Sequence, residues 1–572
     1  MLLSNFNLLA TAHGGVARLR ELILTLAVQG KLVPQDPGDE PASVLLKKIR
    51  AEKDRLMAEG KIRRDKPLTE ITDKEKPFEV PVGWEWVKTG NYFSELCTGP
   101  FGAVIHKQDY VLDGVPLINP SHMIGGKILH DPEISVNTEM AQTLSAYKLS
   151  AGDVVLARRG EVGRYALVTA SEDGWLCGTG SFFAKLFSAC NRSYLGLIFR
   201  DPRFRAHLQG ESVGSTMTNL NQRIFLEALI AIPPLAEQSR IVTRVEELMR
   251  VCDALEAKGK LEAAQHAQLV STLLDTLTGS DTPEVLAQNW QGIAAHFDLL
   301  LDRPEAIDAF EQTILQLAVR GLLVPQNPKD EPASFLLQKI RAEKDRLLLE
   351  GKIKRDKPLA AIAEDEKPFA LPQGWEWMRF GAVALISSGI TLGRKTVIPS
   401  PVFLPYLRVA NVQRWRLNMA SIKEVVIDQT ELDRFQLLNG DLLITEGGDW
   451  DKVGRTAIWR DELAICLHQN HVFKARGTSS DWNPVWAEMY LNSMIARTYF
   501  ASSAKQTTNL ASINMTQLKN CMFPLPPLAE QSCIVARVEE LRCLCAGLRQ
   551  RLSASQTTQA HLAEALVESV AG

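Results

Sequence analysis

An ungapped internal repeat constrains the fold of this 572-residue chain more than any other feature of its sequence. Residues 23–86 recur as residues 314–377 at a constant offset of 291, and 46 of the 64 paired positions are identical. A second block, Pro233–Ser239, returns as Pro526–Ser532 at an offset of 293. Identity at this level over a fixed period indicates a duplicated structural unit rather than a shared composition.

The repeat predicts two copies of one scaffold, about 5–279 and 296–572, joined by a short segment around Gly279–Pro283. Between the matching blocks, residues 88–230 and 379–523 occupy equivalent places but align only in scattered spots. A scaffold that stays nearly identical around two diverged inserts suggests one assembly role performed twice. The inserts suggest one recognition role performed on two different targets.

Apolar residues at three- and four-residue spacing predict the helices of the scaffold. The longest, 236–277 and 529–570, each contain about 40 residues, which corresponds to a rod of roughly 60 Å. A long apolar stripe without an adjacent core needs a partner, either the other copy's helix or another subunit. Shorter helices are predicted at Val16–Val28, Ala306–Val319, Ala42–Glu59 and Ala333–Glu350.

The inserts have the patterns of mixed strands and helices. Val154–Ala157 and Leu442–Thr445 are predicted strands, each after a Gly-Asp turn. They continue into glycine-bearing loops at 158–164 and 446–455, which differ in length and charge. We therefore expect an α+β fold with two mixed α/β domains, alike in their strands and different in their loops, on a pseudo-two-fold repeated frame.

Two local patterns resemble catalytic loops, and neither is complete. Residues 389–396 approach a phosphate-binding loop but carry Arg394 where that loop requires glycine, which favours a basic surface loop. Residues 210–214 match the spacing of a nucleophile elbow, yet the strand that would feed it is missing.

Other candidate chemistry is also incomplete. The Pro-Pro turns at 232–235 and 525–528 lack the amide or carboxylate and the aromatic ring with which amino-methyltransferases hold a base. Cys466–His471 offers fewer than the four convergent ligands of a structural metal site, and a polar strand edge is the favoured alternative. The nine cysteines form no CxxC pair, which argues against a zinc ribbon. The sequence predicts no catalytic site in either copy.

The net charge of −3 argues against a nucleic-acid partner, because such proteins are usually visibly basic. Both inserts nevertheless place basic and amide side chains beside turns, and these side chain types read base edges or hold phosphates. A solvated loop or a local hydrogen bond is the alternative for each of them. The candidate DNA-binding residues are Arg158, Arg159, Arg164, Asn119, His122, Asn219 and Arg223 in the first insert, and Arg394, Lys395, Arg408, Asn411, Gln413, Arg414, Lys452, Arg455, Gln469, Asn470, His471 and Asn509 in the second.

Several segments together resemble the specificity subunit of type I restriction-modification systems, particularly its longer, extended branch. The shared motifs are AVQGKLVPQDPGDEPASVLLKKIRAEKDRL, RDKPL, KPF before GWEW, the PLAEQ block before each long helix, Gly99-Pro100-Phe101-Gly102 with Asp113–Ile118, and His468–Phe473. The resemblance covers essentially the whole chain in the family's order. One departure is that residues 387–393 of the second insert replace the Gly-Pro-Phe-Gly opening of the first.

The resemblance implies a non-catalytic subunit that binds an asymmetric, bipartite sequence in double-stranded DNA, with one half-site read by each recognition domain. An antiparallel pair of long helices would separate the two domains and set the spacer between the half-sites. The implied divisions are a helical segment at 1–87, a target-recognition domain at 88–233, a long helix at 234–279, a linker with the repeated helical segment at 280–378, a second recognition domain at 379–526 and a long helix at 527–572.

The resemblance also implies partners and their cofactors. Two modification subunits would supply S-adenosylmethionine and methylate adenine, and two restriction subunits would use ATP and Mg²⁺ to translocate and cut DNA. This chain would hold no cofactor, and without an apolar run long enough for a membrane or a leader pattern it is expected in the prokaryotic cytoplasm. The alternative is a scaffold or DNA-binding protein with duplicated recognition domains that acts outside a restriction complex.

Overall fold

The structure is a computed structural model in which two compact units divide the chain. The first unit contains residues 1–262 and 555–572, and the second contains residues 263–554. Each unit therefore holds one insert together with the beginning of one long helix and the end of the other. The described residues are 9–10, 12, 14–62, 68–100, 104–210, 220–280, 282–355, 357–393, 398–448, 452–507 and 510–571.

Two helices of 44 residues form the longest elements, as the sequence predicted. The central long helix is Leu235–Thr278 and the C-terminal long helix is Leu528–Ala571. Each begins directly after a Pro-Pro pair, which ends the preceding strand because proline has a fixed φ and no N–H donor. No helix in the described ranges is long and apolar enough to cross a membrane.

The four shorter scaffold helices also form within two residues of their predicted bounds. They are Gly15–Val28 and Ala42–Ala58 in the first unit, and Pro304–Val319 and Ala333–Leu349 in the second. Two residues after each helix stands a glycine with φ between 69° and 73°. That left-handed conformation ends a helix without the steric penalty that a Cβ would bring.

The segment predicted as a linker after residue 279 contains a helix. Pro283–Ala294 forms a helix whose first N–H groups are capped by Thr282, with Val285 N donating to its Oγ1 at 3.3 Å. Trp290 of this helix stacks on Phe310, with ring centroids 6.0 Å apart. The helix therefore extends the apolar core of the second unit. Threonine followed by proline is a recognised start of a helix, and this local signal does not depend on the internal repeat.

The two inserts have the same principal sheet. In the first unit its strand order is Phe93–Thr98, Ser181–Leu186, Val154–Ala157 and Tyr165–Leu167, all antiparallel. In the second unit the order is Ala384–Ser388, Val472–Gly477, Leu442–Thr445 and Thr456–Ile458, again antiparallel. The predicted α+β class and the predicted similarity of the two insert folds are confirmed.

Smaller sheets and helices complete each insert. The first has strands Tyr110–Val111, Val115–Ile118, Met123–Ile124, Lys127–Ile128, Ser135–Val136 and Leu176–Cys177, and helices Thr138–Thr143, Arg192–Arg200, Pro202–Gly210 and Gln222–Glu227. The second has strands Pro401–Leu407, Val412–Gln413, Arg416–Leu417, Lys423–Asp428, Gly447–Gly448, Leu467–His468, Lys505–Thr507 and Leu510–Ser512, and helices Phe380–Val383, Leu432–Phe435, Pro484–Asn492, Met494–Ser503 and Met515–Asn520. Phe297–Leu300 is a further short helix of the scaffold.

Each insert enters and leaves the scaffold through a two-stranded antiparallel ladder. Glu85–Lys88 pairs with Leu229–Ile232 in the first unit, and Glu376–Arg379 pairs with Met522–Leu525 in the second. The ladder brings the two ends of the insert together beside the start of a long helix. An insert anchored in this way can change internally without altering the frame that carries it.

A buried glutamate at the start of each long helix holds this junction. Trp84 Nε1 donates to Glu237 Oε2 at 3.0 Å, and Gln35 Nε2 donates to the other carboxylate oxygen at 3.2 Å. Glu530 accepts from Trp375 at 2.9 Å and from Gln326 at 3.2 Å in the second unit. Burial raises the pKa of both carboxyls, a desolvation penalty that the paired donors offset in part.

Substitution of either buried glutamate by glutamine is expected to destabilise its unit by about 1–3 kcal/mol. The introduced glutamine supplies one acceptor oxygen in place of two. Its NH₂ group would therefore face an N–H donor, either from the tryptophan or from the neighbouring glutamine. Thermal melting of Glu237→Gln and Glu530→Gln checks the prediction. Glu246→Gln, an exposed position on the central long helix, is the control. Equal melting temperatures for all three variants would contradict the structural role.

Candidate nucleic-acid interface

Several segments of the first unit meet at one end of its principal sheet. Gly178 N donates to Ile118 O at 3.0 Å, and Arg158 N donates to Gly180 O at 2.9 Å. Leu220 N donates to Arg158 O at 2.8 Å. These backbone bonds assemble what we call the first loop face, residues 118–122, 158–164, 178–180 and 220. The face thus unites loops that are far apart in sequence.

Two of the arginines predicted as DNA contacts stand on this face in different environments. The Arg158 guanidinium lies over the Phe182 ring, 5.4 Å from its centroid. Partial burial, followed by the neighbouring charge of Arg159, lowers the pKa of Arg158. Arg159 itself is exposed. Two adjacent cations therefore stand at the end of the strand Val154–Ala157.

Arg164, also predicted as a DNA contact, is engaged in holding the loop. It forms an ion pair with Glu161, and its Nη1 donates to Pro120 O at 3.3 Å. Glu161 also accepts from Arg205 at 2.8 Å. The Glu161 carboxylate lies between two guanidinium groups, and the hydrogen bond from Arg164 lowers its pKa although burial opposes that shift. Arg164 therefore shapes the loop that presents Arg158 and Arg159.

The second loop face, residues 408–415, 446–448, 452–455 and 469–471, is assembled at the equivalent end of the second sheet. Glu446 N donates to His471 O at 3.0 Å, and Gln469 N donates to Leu407 O at 2.9 Å. Arg455 Nη1 donates to Gln413 Oε1 at 2.7 Å, which joins two of the loops through their side chains. The same loops converge in both units.

Several side chains of the second loop face form hydrogen bonds or ion pairs within the second unit. Arg408 Nη2 donates to Ser421 O at 3.0 Å, and Arg414 Nη1 donates to Asn492 Oδ1 at 3.3 Å. His471 is exposed, with Nδ1 2.6 Å from Glu446 Oε2. Exposed or half-buried positions on the face also include Lys452, Gln469 and Asn470. Of these, His471 and Lys452 are exposed, and Gln469 and Asn470 are half-buried.

Two predicted DNA contacts, His122 and Asn411, are buried. His122 is 8% exposed, and its Nδ1 lies 3.1 Å from Leu117 O. Asn411 is 2% exposed, accepting from Arg408 N at 2.9 Å and donating to Asn418 O at 2.9 Å. Both residues close a 3₁₀ turn at the same place in their inserts, so they shape loops. Asn119, which starts the first of these turns, remains half-buried at the face.

A glycine packs beside each loop face at the same place in the two inserts. A Cβ on Gly99 would lie 2.2 Å from Gly178 O, and a Cβ on Gly389 would lie 2.0 Å from His468 O. Both distances are far below van der Waals contact, so each backbone can pass its neighbour only as glycine. The second insert therefore retains the first glycine of the Gly-Pro-Phe-Gly opening, although the residues after it differ.

Glu446 is a candidate recognition residue that the sequence reasoning missed. It follows the strand Leu442–Thr445 as Arg158 follows Val154–Ala157, so a carboxylate replaces a guanidinium at one position of the two faces. A carboxylate can accept a hydrogen bond from the amino group of cytosine, whereas arginine favours guanine. Alignment of the strands Leu442–Thr445 and Val154–Ala157 identifies this exchange from the sequence.

Four predicted DNA-binding residues lie outside the described residues: Asn219, Arg394, Lys395 and Asn509. Arg223 is exposed on the helix Gln222–Glu227, whose Gln222 donates to Thr98 Oγ1 at 2.9 Å. Residues 394–396 of the phosphate-loop pattern and residues 211–214 of the nucleophile-elbow pattern also lie outside the described residues. Among the described His, Cys, Asp and Glu side chains, no group of three or more is placed to hold a metal ion.

Comparison with known proteins assigns both units to one family. The family model described as "Type I restriction modification DNA specificity domain" matches residues 102–266 and 372–554, one match in each half of the chain. The chain belongs to this family. As a member, it is the DNA-specificity component of a type I restriction-modification system and is not an enzyme by itself.

Two curated specificity subunits from Escherichia coli match this family member over nearly their whole length. The type I restriction enzyme EcoAI specificity subunit is 38% identical, covering 97% of this chain and 93% of its own. The EcoEI specificity subunit is 36% identical with the same coverage. A chain from a solved structure on assembly of the type I R-M system is 18% identical, covers 86% of this chain and 99% of its own, and has a TM-score of 0.47. The family assignment rests on the sequence matches.

Proposed function

We propose that this chain reads an asymmetric, bipartite sequence in double-stranded DNA. The recognition domain at 88–233 would read one half-site through the first loop face, and the domain at 379–526 would read the other through the second. One observation carries the proposal: the two faces are built by the same loops, yet Arg158 in one is replaced by Glu446 in the other. Matched frames with different outward side chains suit two different base sequences.

The outward candidates are Arg158, Arg159 and Arg223 on the first domain, with Asn119 beside them, and Lys452, Gln469, Asn470, His471 and Glu446 on the second. Arg164, Arg408, Gln413, Arg414 and Arg455 would act by holding the loops. The near-neutral charge of the chain suggests that partner subunits supply much of the grip on the phosphate backbone. We expect weak, salt-sensitive DNA binding by this chain alone.

The proposed partners are two modification subunits and two restriction subunits. S-adenosylmethionine, ATP and Mg²⁺ would belong to those partners, and the assembly would act in the prokaryotic cytoplasm. Half-sites about one DNA turn apart are separated by roughly 34 Å. A helix of 44 residues is about 66 Å long, so the long helices are sufficient to separate two recognition domains over such a spacer.

Co-expression with a cognate modification subunit, followed by sequencing of methylated DNA, tests the proposal. The expected result is one gapped, asymmetric motif with a methylated adenine in each half. An active complex that methylates a continuous or symmetric sequence would contradict the bipartite assignment. The same experiment on a strain without this chain measures the background methylation.

An exposed surface that is identical in the two copies is the proposed docking site for the modification subunits. The helices Ala42–Ala58 and Ala333–Leu349 bury only a few residues and expose a charged side. The exposed charged residues that are the same in both helices are Lys48 and Lys339, Arg50 and Arg341, Asp54 and Asp345, and Arg55 and Arg346. Because these side chains support no core, their identity is better explained by one kind of partner bound twice.

Charge reversal on this surface is expected to remove one partner at a time. Arg50→Glu should lower the affinity of one modification subunit by at least about tenfold. The substitution removes a guanidinium contact and places a carboxylate that repels the same partner group, which costs more than about 1.4 kcal/mol. Arg341→Glu should do the same at the other copy, and the double variant should lose both. Native mass spectrometry measures the stoichiometry directly.

Lys47→Glu is the matched control for the docking variants. Lys47 is exposed on the same helix, but the second copy has Gln338 at its equivalent, so a shared contact is not expected there. Full occupancy in Arg50→Glu, or an equal loss in Lys47→Glu, would contradict the proposed surface.

A further inference from the structure

A strained tryptophan lies at the tip of a hairpin on the second loop face. The strands Val412–Gln413 and Arg416–Leu417 pair around the turn residues Arg414 and Trp415. Trp415 has φ of 66°, a left-handed conformation that bulky residues rarely adopt. A glycine would occupy this turn without strain. The presence of tryptophan therefore calls for a compensating contact.

The C-terminal long helix supplies that contact. The Arg542 guanidinium lies over the Trp415 ring, 4.2 Å from its centroid, which is the geometry of a cation–π interaction. Trp415 N also donates to Thr456 O at 3.1 Å on the principal sheet. The Arg542 charge also reaches the buried carboxyl of Glu488, where it opposes the rise in pKa that burial causes. The hairpin is thus fastened both to its own domain and to the long helix.

The hairpin of the first unit cannot form the equivalent cation–π contact with its long helix. Its hairpin, Met123–Ile124 with Lys127–Ile128, turns through Gly125 and Gly126, and the long-helix residue that corresponds to Arg542 is Met249. A cleft of about 790 Å³, lined by Gly126 and Met249 among others, is open there. Within one chain, the two recognition hairpins are therefore attached to their long helices in different ways.

We propose that the contact between Trp415 and Arg542 is a positioning clamp that holds the second recognition hairpin at a fixed distance along the C-terminal long helix. This inference rests on the proposed function. The hairpin carries Gln413, which bonds to Arg455, so a fixed hairpin also fixes the neighbouring loop of the face. The clamp fixes the position of the second recognition hairpin along its long helix more strictly than that of the first hairpin. Trp415 and Arg542 are positioning residues that need not touch a base.

The clamp is tested by giving the second unit the residues of the first. In Arg542→Met and Trp415→Gly we expect modification at sites with the native spacer to fall about 3- to 30-fold, the range that corresponds to loss of a cation–π contact. Sites with a spacer one base pair longer or shorter should gain relative to native sites. The bases of both half-sites should stay unchanged. The double variant should be no worse than the more severe single variant.

Arg549→Met is the matched control, because Arg549 lies on the same helix and pairs with Glu311 at 2.7 Å, away from the recognition hairpin. It should leave the spacer profile unchanged. Identical spacer profiles for wild type, Arg542→Met, Trp415→Gly and Arg549→Met would overturn the clamp.

Hydrogen exchange of the free chain separates failure of the clamp from failure of the proposed function. Trp415→Gly relieves the backbone strain, so its fold should be retained, and amides at 412–417 should exchange at least about tenfold faster than in wild type. Unchanged exchange would overturn the clamp even when a bipartite motif is found. If the wild-type complex yields no bipartite motif, the proposed function fails, while the exchange experiment still decides whether the clamp exists.

Discussion

Replacement of Arg158 and Arg159 together by alanine is expected to lower modification of native target sites about 100-fold or more. Both cations stand at the end of a rigid strand on the first loop face, and a good arginine contact with a base contributes about 1–3 kcal/mol of discrimination. The sites that are still modified should be relaxed in the first half of the motif only. Single-turnover methylation of duplexes with altered half-sites measures both effects.

Arg244→Ala is the control for that double substitution. Arg244 is an exposed arginine of the central long helix that pairs with Glu247 at 3.0 Å, and it belongs to neither loop face. It should leave rate and motif unchanged. Relaxation of the second half-site in the Arg158 and Arg159 double variant would contradict the assignment of one half-site to each face.

The second unit is expected to gain stability as the pH rises from about 8 to 10.5, because the ammonium group of Lys474 is buried and donates to backbone carbonyls. Its side chain is 4% exposed, and Nζ donates to Arg434 O at 3.1 Å and to Gln436 O at 3.0 Å. Burial, followed by the charge of Arg476, lowers the pKa of Lys474 to about 8. The equivalent strand position of the first unit holds the buried Phe183.

The direction of the effect follows from the proton balance. Between pH 8 and 10.5 the unfolded chain holds a proton on Lys474 that the folded chain has released, so the free energy of unfolding rises with pH. A pKa difference of this size corresponds to about 3 kcal/mol. Urea unfolding at several pH values should show this rise in the wild type, and Lys474→Met should lack it.

Lys423→Met, at an exposed lysine of the strand Lys423–Asp428, is the control for the pH experiment and should follow the wild type. Comparing each variant with the wild type at the same pH removes the titration of other lysines and tyrosines. A Lys474→Met profile parallel to that of the wild type would show that the buried ammonium carries no pH-dependent penalty.

Periodicity and repetition were sufficient to predict the scaffold. The long helices begin at Pro-Pro pairs and the shorter ones end at glycines, and these are local steric signals that act wherever the sequence occurs. The helix Pro283–Ala294 lies between the two repeated copies, where the internal repeat carries no information about structure. Its threonine-proline start was a local signal of the same kind.

The loop faces could be predicted only in part. Composition identified the basic and amide side chains, but whether a side chain faces outward depends on contacts between segments that are distant in sequence. His122 and Asn411 are of residue types that suit base recognition, yet each closes a turn inside its domain. Glu446 is neither basic nor an amide, yet it occupies the position of Arg158. Only the convergence of the loops reveals these roles.

Exchange of residues 88–230 for the corresponding domain of another specificity subunit tests the central claim most directly. The exchanged chain, co-expressed with its modification subunit, should methylate a motif whose first half is new, while the second half and the spacer are retained. The methylated motif is read by sequencing of genomic DNA. A motif that changes in both halves, or in neither, would contradict the account of two independent recognition domains on one duplicated frame.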